Sequence, residues 1–181
     1  MLAAGFVALV ALWLAATRAA GVGPWTRSDA PVSLEVNLSA RTLTVRREGD
    51  VVNRYDIAVG TSEHPTPTGD FSISTMVWNP AWVPPNSDWA RGKEPQEPGS
   101  PSNPMQGVKM YFREPTYFIH GTNDPESIGA AASHGCIRMA VGDAEELARM
   151  LMEETGAGSP PSGGETRYVT LPSAVPLEIH E

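Results

Sequence analysis

The sequence predicts a mainly β fold of antiparallel strands, with one main α-helix and one long Pro-rich loop, and three observations predict it. Short segments that alternate apolar and polar residues with period two, bounded by turn residues, occupy 32–78 and resume after 106. A single helical pattern begins at Asp143. Between the two β regions, residues 79–106 hold seven prolines and show no period of either kind.

The elements follow in order. Val32 to Leu38 reads as a half-buried strand, the turn Ser39-Ala40-Arg41 leads into Thr42 to Arg46, and Gly49-Asp50 turns the chain again into Val51 to Val59. These three make an antiparallel meander. Phe71, Ile73, Thr75 and Val77 share one face of a fourth strand, entered through Pro65, Pro67 and Gly69. The Pro-rich stretch exceeds the ~15 residues at which structureless loops become uncommon in compact domains, so it is read as ordered. Trp82 and Trp89 make it either a lid over a site or a plug for one end of a barrel. Val108 to Phe112 and Thr116 to Ile119 are two more strands, the second carrying His120 at its end. Asp143 as N-cap with Glu146 three residues on matches a capping box, Leu147, Met150 and Leu151 form an apolar stripe, and Gly156 suits the stop, which predicts a helix of about twelve residues. Ala157 to Glu165 reads as a flexible insertion, and Tyr168 to Leu171 and Val175 to Ile179 as closing strands.

Composition narrows the function. Thirteen basic against 21 acidic residues give a net charge of -8, with no Lys/Arg cluster, which argues against nucleic acid as a partner. Leu2 to Ala16 is an uninterrupted apolar run, too short for an ordinary span of about 20 residues and near the length of a signal-peptide core. Residues 1–20 are therefore expected to be a signal peptide or a membrane anchor, 21–31 a linker, and 32–181 one domain, with export as the expected meaning of the apolar run. A single cysteine, Cys136, rules out an internal disulfide and is either a small buried hydrophobe or a thiol exposed for chemistry.

Its surroundings favour chemistry. Cys136 stands in Ser133-His134-Gly135-Cys136-Ile137-Arg138-Met139, with His120 sixteen positions upstream. A free thiol is only a few per cent thiolate near neutrality, so a nucleophilic cysteine needs an imidazole or a positive dipole beside it. His120, His134 and Cys136 have the residue types of a three-ligand zinc site but lack a CxxC or HExxH frame, and no metal is predicted.

This pattern resembles the signature of the L,D-transpeptidase catalytic domain family, the YkuD-like proteins. The histidine segment is His120-Gly121-Thr122, followed by a spacer and then Ser133 to Met139. Val59-Gly60, Thr66 to Ile73, Asn79 to Pro85 and Asn103-Pro104-Met105 resemble the same family in the same order, so the resemblance covers about residues 32 to 154. It implies a β-sandwich or partly open barrel, with the main helix after the catalytic motif.

The resemblance also implies roles. Cys136 is the nucleophile and His120 the general base, oriented by the backbone carbonyl of Gly121. Backbone N–H groups of Gly135 and Cys136, with His134, are the candidate oxyanion donors. His134 is also placed to hold the thiolate, and Ser133 to hydrogen-bond within the turn. Arg138 either grips a substrate carboxylate or makes a structural ion pair. Tyr117 and Thr122 are placed near the pocket, with a core position open for Tyr117, while His64 and His180 are read as solvated.

The implied activity is a peptidoglycan L,D-transpeptidase. It takes a tetrapeptide stem as partner, releases the terminal D-amino acid, forms a cysteine thioester and passes the acyl group to an amine, with no cofactor. Carbapenem adduct formation at Cys136 is expected. The alternatives are an L,D-carboxypeptidase using water, a non-catalytic cell-wall binding module, and a general cysteine peptidase.

Overall fold

Period-two segments pair where turns bring them together, and the first three do so as expected. In a computed structural model that describes residues 30–181, β1 (Val32–Asn37), β2 (Thr42–Arg47) and β3 (Asp50–Asp56) form an antiparallel meander. The expected leader or anchor and nearly all of the expected linker lie outside the described residues. Within 30–181 no helix is long and apolar enough to cross a membrane.

The chain continues through β4 (Val59–Gly60), β5 (Gly69–Trp78), β6 (Gln106–Arg113), β7 (Tyr117–Gly121), β8 (Ala131–Ser133) and β9 (Ile137–Met139), then α1 (Val141–Thr155) and β10 (Arg167–His180). Eight strands join in the order β3-β2-β1-β10-β5-β6-β7-β9, and β4 pairs with β8 apart from them. The strands are mainly antiparallel, but the sheet is mixed. β10 runs parallel to β1, and β9 parallel to β7. The β7–β9 pair arises from a long connection, since residues 122–136 carry the chain back to the start of β7 before β9 begins, while β1 and β10 are the first and last strands of the described residues.

Two expectations change at the C-terminal end. The separate closing strands 168–171 and 175–179 are one strand, β10, with a register shift between Thr170 and Val175 that accommodates Pro172. It lies between β1 and β5, inside the sheet rather than at its edge. The helix begins at Val141 with Ala140 as N-cap, and Ala144 N–H donates to Ala140 O at 3.0 Å. Asp143 is thus in the first turn and not the cap. Its charge favours the positive helix end without a capping hydrogen bond, because β9 runs almost directly into α1 and backbone geometry sets the start.

Gly156 ends α1 in the left-handed region at φ 74°. Ala144, Leu147, Ala148, Leu151 and Met152 are buried, and α1 packs on β6, β7 and β10. With Leu34, Val36, Ile73, Met110, Ile119 and Ile137 they form one core, each large aliphatic side chain stabilising by about 1.5–3 kcal/mol.

Candidate active site

The parallel β7–β9 ladder brings the two motif segments together. Ile119 pairs with Ile137 and His120 with Arg138, so the end of β7 lies beside the residues that follow Cys136. Arg138 is anchored further by reciprocal backbone bonds with Ala58, both at 2.9 Å.

The nucleophile turn is closed by one hydroxyl. Ser133 Oγ accepts from Gly135 N–H at 3.0 Å and donates to Cys136 O at 2.5 Å. Gly135 has φ 104°, and a Cβ there would stand 2.7 Å from Tyr117 Cε1 and 3.2 Å from Pro65 O. Only glycine fits such a position without strain. This arrangement corrects one expectation. The Gly135 N–H is occupied by Ser133, which leaves the N–H groups of His134 and Cys136 as the candidate oxyanion donors.

His120 is 2% exposed, with Nδ1 2.8 Å from Gly121 O. A carbonyl only accepts, so Nδ1 carries the proton and Nε2 is left with the lone pair a base requires. Gly121 is the orienter, as the resemblance implied, and its lack of Cβ matters: one built there would meet Gln106 O at 2.5 Å. Burial pushes the imidazole pKa down to about 4, opposed by the Gly121 carbonyl, assisted by the positive charges of Arg138 and Lys109, and opposed more weakly by the Pro104 carbonyl.

Cys136 is partly buried, with Sγ 3.5 Å from Thr116 O. Desolvation pushes the thiol up to about 11, against the pull of the Phe118 backbone, Arg138 and Lys109. The resting pair is therefore a neutral thiol and a neutral imidazole. Thiolate formation is set to coincide with attack, when the developing oxyanion and the expulsion of water favour charge transfer to Nε2.

Cys136 and His120 line the same cleft, of about 1040 Å³. Its opposite wall comes from the Pro-rich stretch, including Trp82, Pro85, Trp89, Pro104 and Met105. Of the lid and the plug, the structure shows a wall over the site. Trp89 stacks on His134 with ring centroids 4.1 Å apart and planes 16° from parallel. His64 also touches His134, at 4.8 Å. The sequence alone marks His64 as merely solvated, because no local signal links it to a residue 70 positions away; folding alone makes the contact. Partial burial, His64, Lys93 and Arg138 all lower the pKa of His134, which is exposed at the cleft rim.

Other expectations are redirected. Ser133 lines the cleft and its hydroxyl closes the turn as expected, so that hydroxyl is not left to bind substrate. Tyr117 backs the nucleophile turn against Gly135 and stacks on Phe112 at 6.0 Å, a supporting position outside the cleft lining. Thr122 is 4% exposed and its Oγ1 accepts from Asp124 N–H at 3.1 Å, so it shapes the loop after His120 and does not line the cleft. Arg138 faces the cleft and touches Asp124 Oδ2 through Nη1 at 3.3 Å, with the Asp124 side chain 57% exposed. His180 is paired and not simply solvated: Nε2 lies 3.2 Å from Glu35 Oε1, far from the site in sequence, and its pKa is raised by the Glu181 carbonyl and Glu35. Among the described residues no group of three His, Cys, Asp or Glu side chains converges to hold a metal.

Comparison with known proteins bears on this geometry. A family model described as the L,D-transpeptidase catalytic domain matches residues 31–163. YkuD of Bacillus subtilis (strain 168), a protein assigned to the L,D-transpeptidases, is 34% identical over 125 residues, covering 69% of this chain and 63% of its own length. The chain thus spans less than two thirds of that relative. The catalytic domain of an E. faecium L,D-transpeptidase, solved by NMR, superimposes with a TM-score of 0.55 at 21% identity, covering 82% of this chain and 96% of that one. The L,D-transpeptidase LdtMt1, solved in complex with imipenem, gives a TM-score of 0.55 at 19% identity over 83% of this chain and 59% of its own. These structural likenesses establish the shared fold, and the family match extends over the cysteine, the buried histidine and the whole Pro-rich wall. This chain belongs to the L,D-transpeptidase catalytic domain family.

Proposed function

We propose that this protein is a peptidoglycan L,D-transpeptidase acting through a Cys136 thioester, exported so that its catalytic domain meets the cell wall. The observation that carries the proposal is the shared cleft of Cys136 and a buried His120 whose Nδ1 is fixed by Gly121 O, leaving Nε2 as the basic atom.

The tetrapeptide stem enters the cleft with the carbonyl of its third residue against Cys136. As Sγ bonds to that carbon, the thiol proton passes to His120 Nε2, and the oxyanion is met by the N–H groups of His134 and Cys136. The C–N bond to the terminal D-amino acid then breaks. The departing nitrogen takes the proton from His120, leaving a thioester and a neutral imidazole. An acceptor amine attacks the thioester, gives a proton back through His120, and regenerates the thiol as the new amide forms. Water in the acceptor's place makes the same enzyme an L,D-carboxypeptidase, and the products distinguish the two. The partial burial of Cys136 suits acyl transfer, because a sheltered thioester is less exposed to hydrolysis.

The test incubates purified protein with tetrapeptide stems and an amine acceptor, following D-alanine release and the mass of the acyl product. Imipenem supplies an independent probe, since a structural relative was solved with it. Intact mass is expected to rise by one carbapenem on the folded protein and to stay unchanged in Cys136→Ala. Binding of stems with no D-alanine release, or an adduct that survives the substitution, counts against the proposal.

A further inference from the structure

Three residues from three strands stand side by side across the cleft floor. Lys109 on β6 pairs in register with His120 on β7, which pairs in register with Arg138 on β9. All three line the cleft. The imidazole therefore has a cation on each side within the sheet, and both cations favour the thiolate form of Cys136.

This local charge opposes the balance of the chain. The protein carries a net charge of -8, yet the charged side chains lining the cleft are Lys93, Lys109 and Arg138 against Glu94 alone. Among the described residues no carboxylate pairs with Lys109. Its Nζ is held over the rings of Tyr111 and Phe118, 5.2 and 5.5 Å from their centroids. Aromatic faces hold an ammonium in place without neutralising it. Arg138 makes a single 3.3 Å contact to the solvent-facing Asp124, which leaves most of its planar fork available to a carboxylate binding through two oxygens.

We propose that Lys109 and Arg138 are carboxylate-recognition residues, selecting a substrate with free carboxylates on both sides of the carbonyl that Cys136 attacks. The inference rests on the L,D-transpeptidase reading and narrows its substrate. In a tetrapeptide stem the terminal D-amino acid supplies one anion on the leaving side. A diaminopimelate side-chain carboxylate supplies the other on the acyl side, and amidation of that group removes it. The preferred donor is thus the unamidated diaminopimelate stem. A carboxylate reaching Arg138 displaces Asp124, whose contact is long and whose exposed position lets water take over its hydration.

The test measures kcat/KM for D-alanine release from three synthetic stems that differ only at the third residue: diaminopimelate with a free side-chain carboxylate, its carboxamide, and lysine. The free acid is expected to be preferred over the carboxamide by about tenfold or more at low ionic strength, and by less as salt rises. Lys109→Met is expected to shrink that ratio and Lys109→Arg to restore it. The wild-type comparison carries the test by itself if the methionine variant does not fold. Equal turnover of all three stems, or preference for the carboxamide, overturns this inference and leaves the L,D-transpeptidase reading standing. Release from none of them overturns both.

Discussion

The floor of the cleft and its opposite wall hold their functional residues by different means. On the floor, His120 and Arg138 stand on β7 and β9, where the parallel ladder and the Arg138–Ala58 bonds fix the backbone. The wall, residues 79–105, has only a short 3-10 turn at Asp88–Ala90 and an isolated Trp82–Gln96 bridge. Its prolines remove N–H donors that a loop would otherwise use to hold itself. Side-chain amides replace them. Asn103, with 0% exposure, donates from Nδ2 to Pro80 O at 2.8 Å and Glu97 O at 3.1 Å, and accepts from Met105 N–H at 2.8 Å. Gln106 Nε2 donates to Ser100 O at 2.8 Å and Asn103 O at 2.6 Å. The difference teaches that order does not require regular structure. It requires that each buried polar group find a partner, and a few amides supply enough partners to hold a wall against the sheet.

The largest expected effect breaks the floor at its reacting atoms. Cys136→Ala is expected to lower D-alanine release by at least about 10³-fold and His120→Ala by about 10²–10⁴-fold, read as kcat/KM on tetrapeptide stems. Loss confined to KM in either variant would contradict the assigned roles.

A second test uses acid to probe the floor without touching the wall. The pKa of His120 is about 4 in the folded protein against 6.5 for the free group, so the unfolded chain takes up the proton first. Stability from this group is complete above pH 6.5 and is lost as pH falls toward 4, amounting to at most about 3 kcal/mol. Chemical denaturation of wild type and His120→Asn across that range is expected to show a shallower pH slope in the variant. Parallel slopes would mean the imidazole is not sequestered from water as the structure has it.

The wall is broken next. Asn103→Ala strands the Pro80 and Glu97 carbonyls and the Met105 N–H, which is expected to cost about 1–3 kcal/mol in unfolding free energy and to raise KM more than it lowers kcat. An unchanged melting temperature would show that water replaces those bonds without penalty.

The smallest effect lies where the two sides meet. Trp89→Ala removes the stack on His134 and is expected to weaken substrate binding by about 0.5–1.5 kcal/mol, a few-fold in KM, with the pH dependence of kcat unchanged. A large fall in kcat instead would place His134 closer to the reacting atoms than the rim position suggests.

Much of this was legible in the chain. The early strands and the stop at Gly156 follow from local periodicity and turn residues, and the order of the wall from its length and its prolines. The compact Ser133–Cys136 segment pointed to the nucleophile turn because its hydrogen bonds close within four residues. The local capping signal at Asp143 does not mark the helix start, because it loses to the strand-to-helix connection that makes Ala140 the cap. Closeness to His120 in sequence does not place Tyr117 and Thr122 in the pocket, because neighbours along a strand or turn need not face the same way.

The sequence by itself determined the residue types of the chemistry, one thiol with histidines and a glycine turn, since these depend on side-chain identity and short spacing. Tertiary structure alone decided that His120 is flanked by Lys109 and Arg138 and that His64 and Trp89 meet His134. Register between distant strands and the closing of a long loop arise from the balance of many weak contacts across the whole core, which no short window of residues contains.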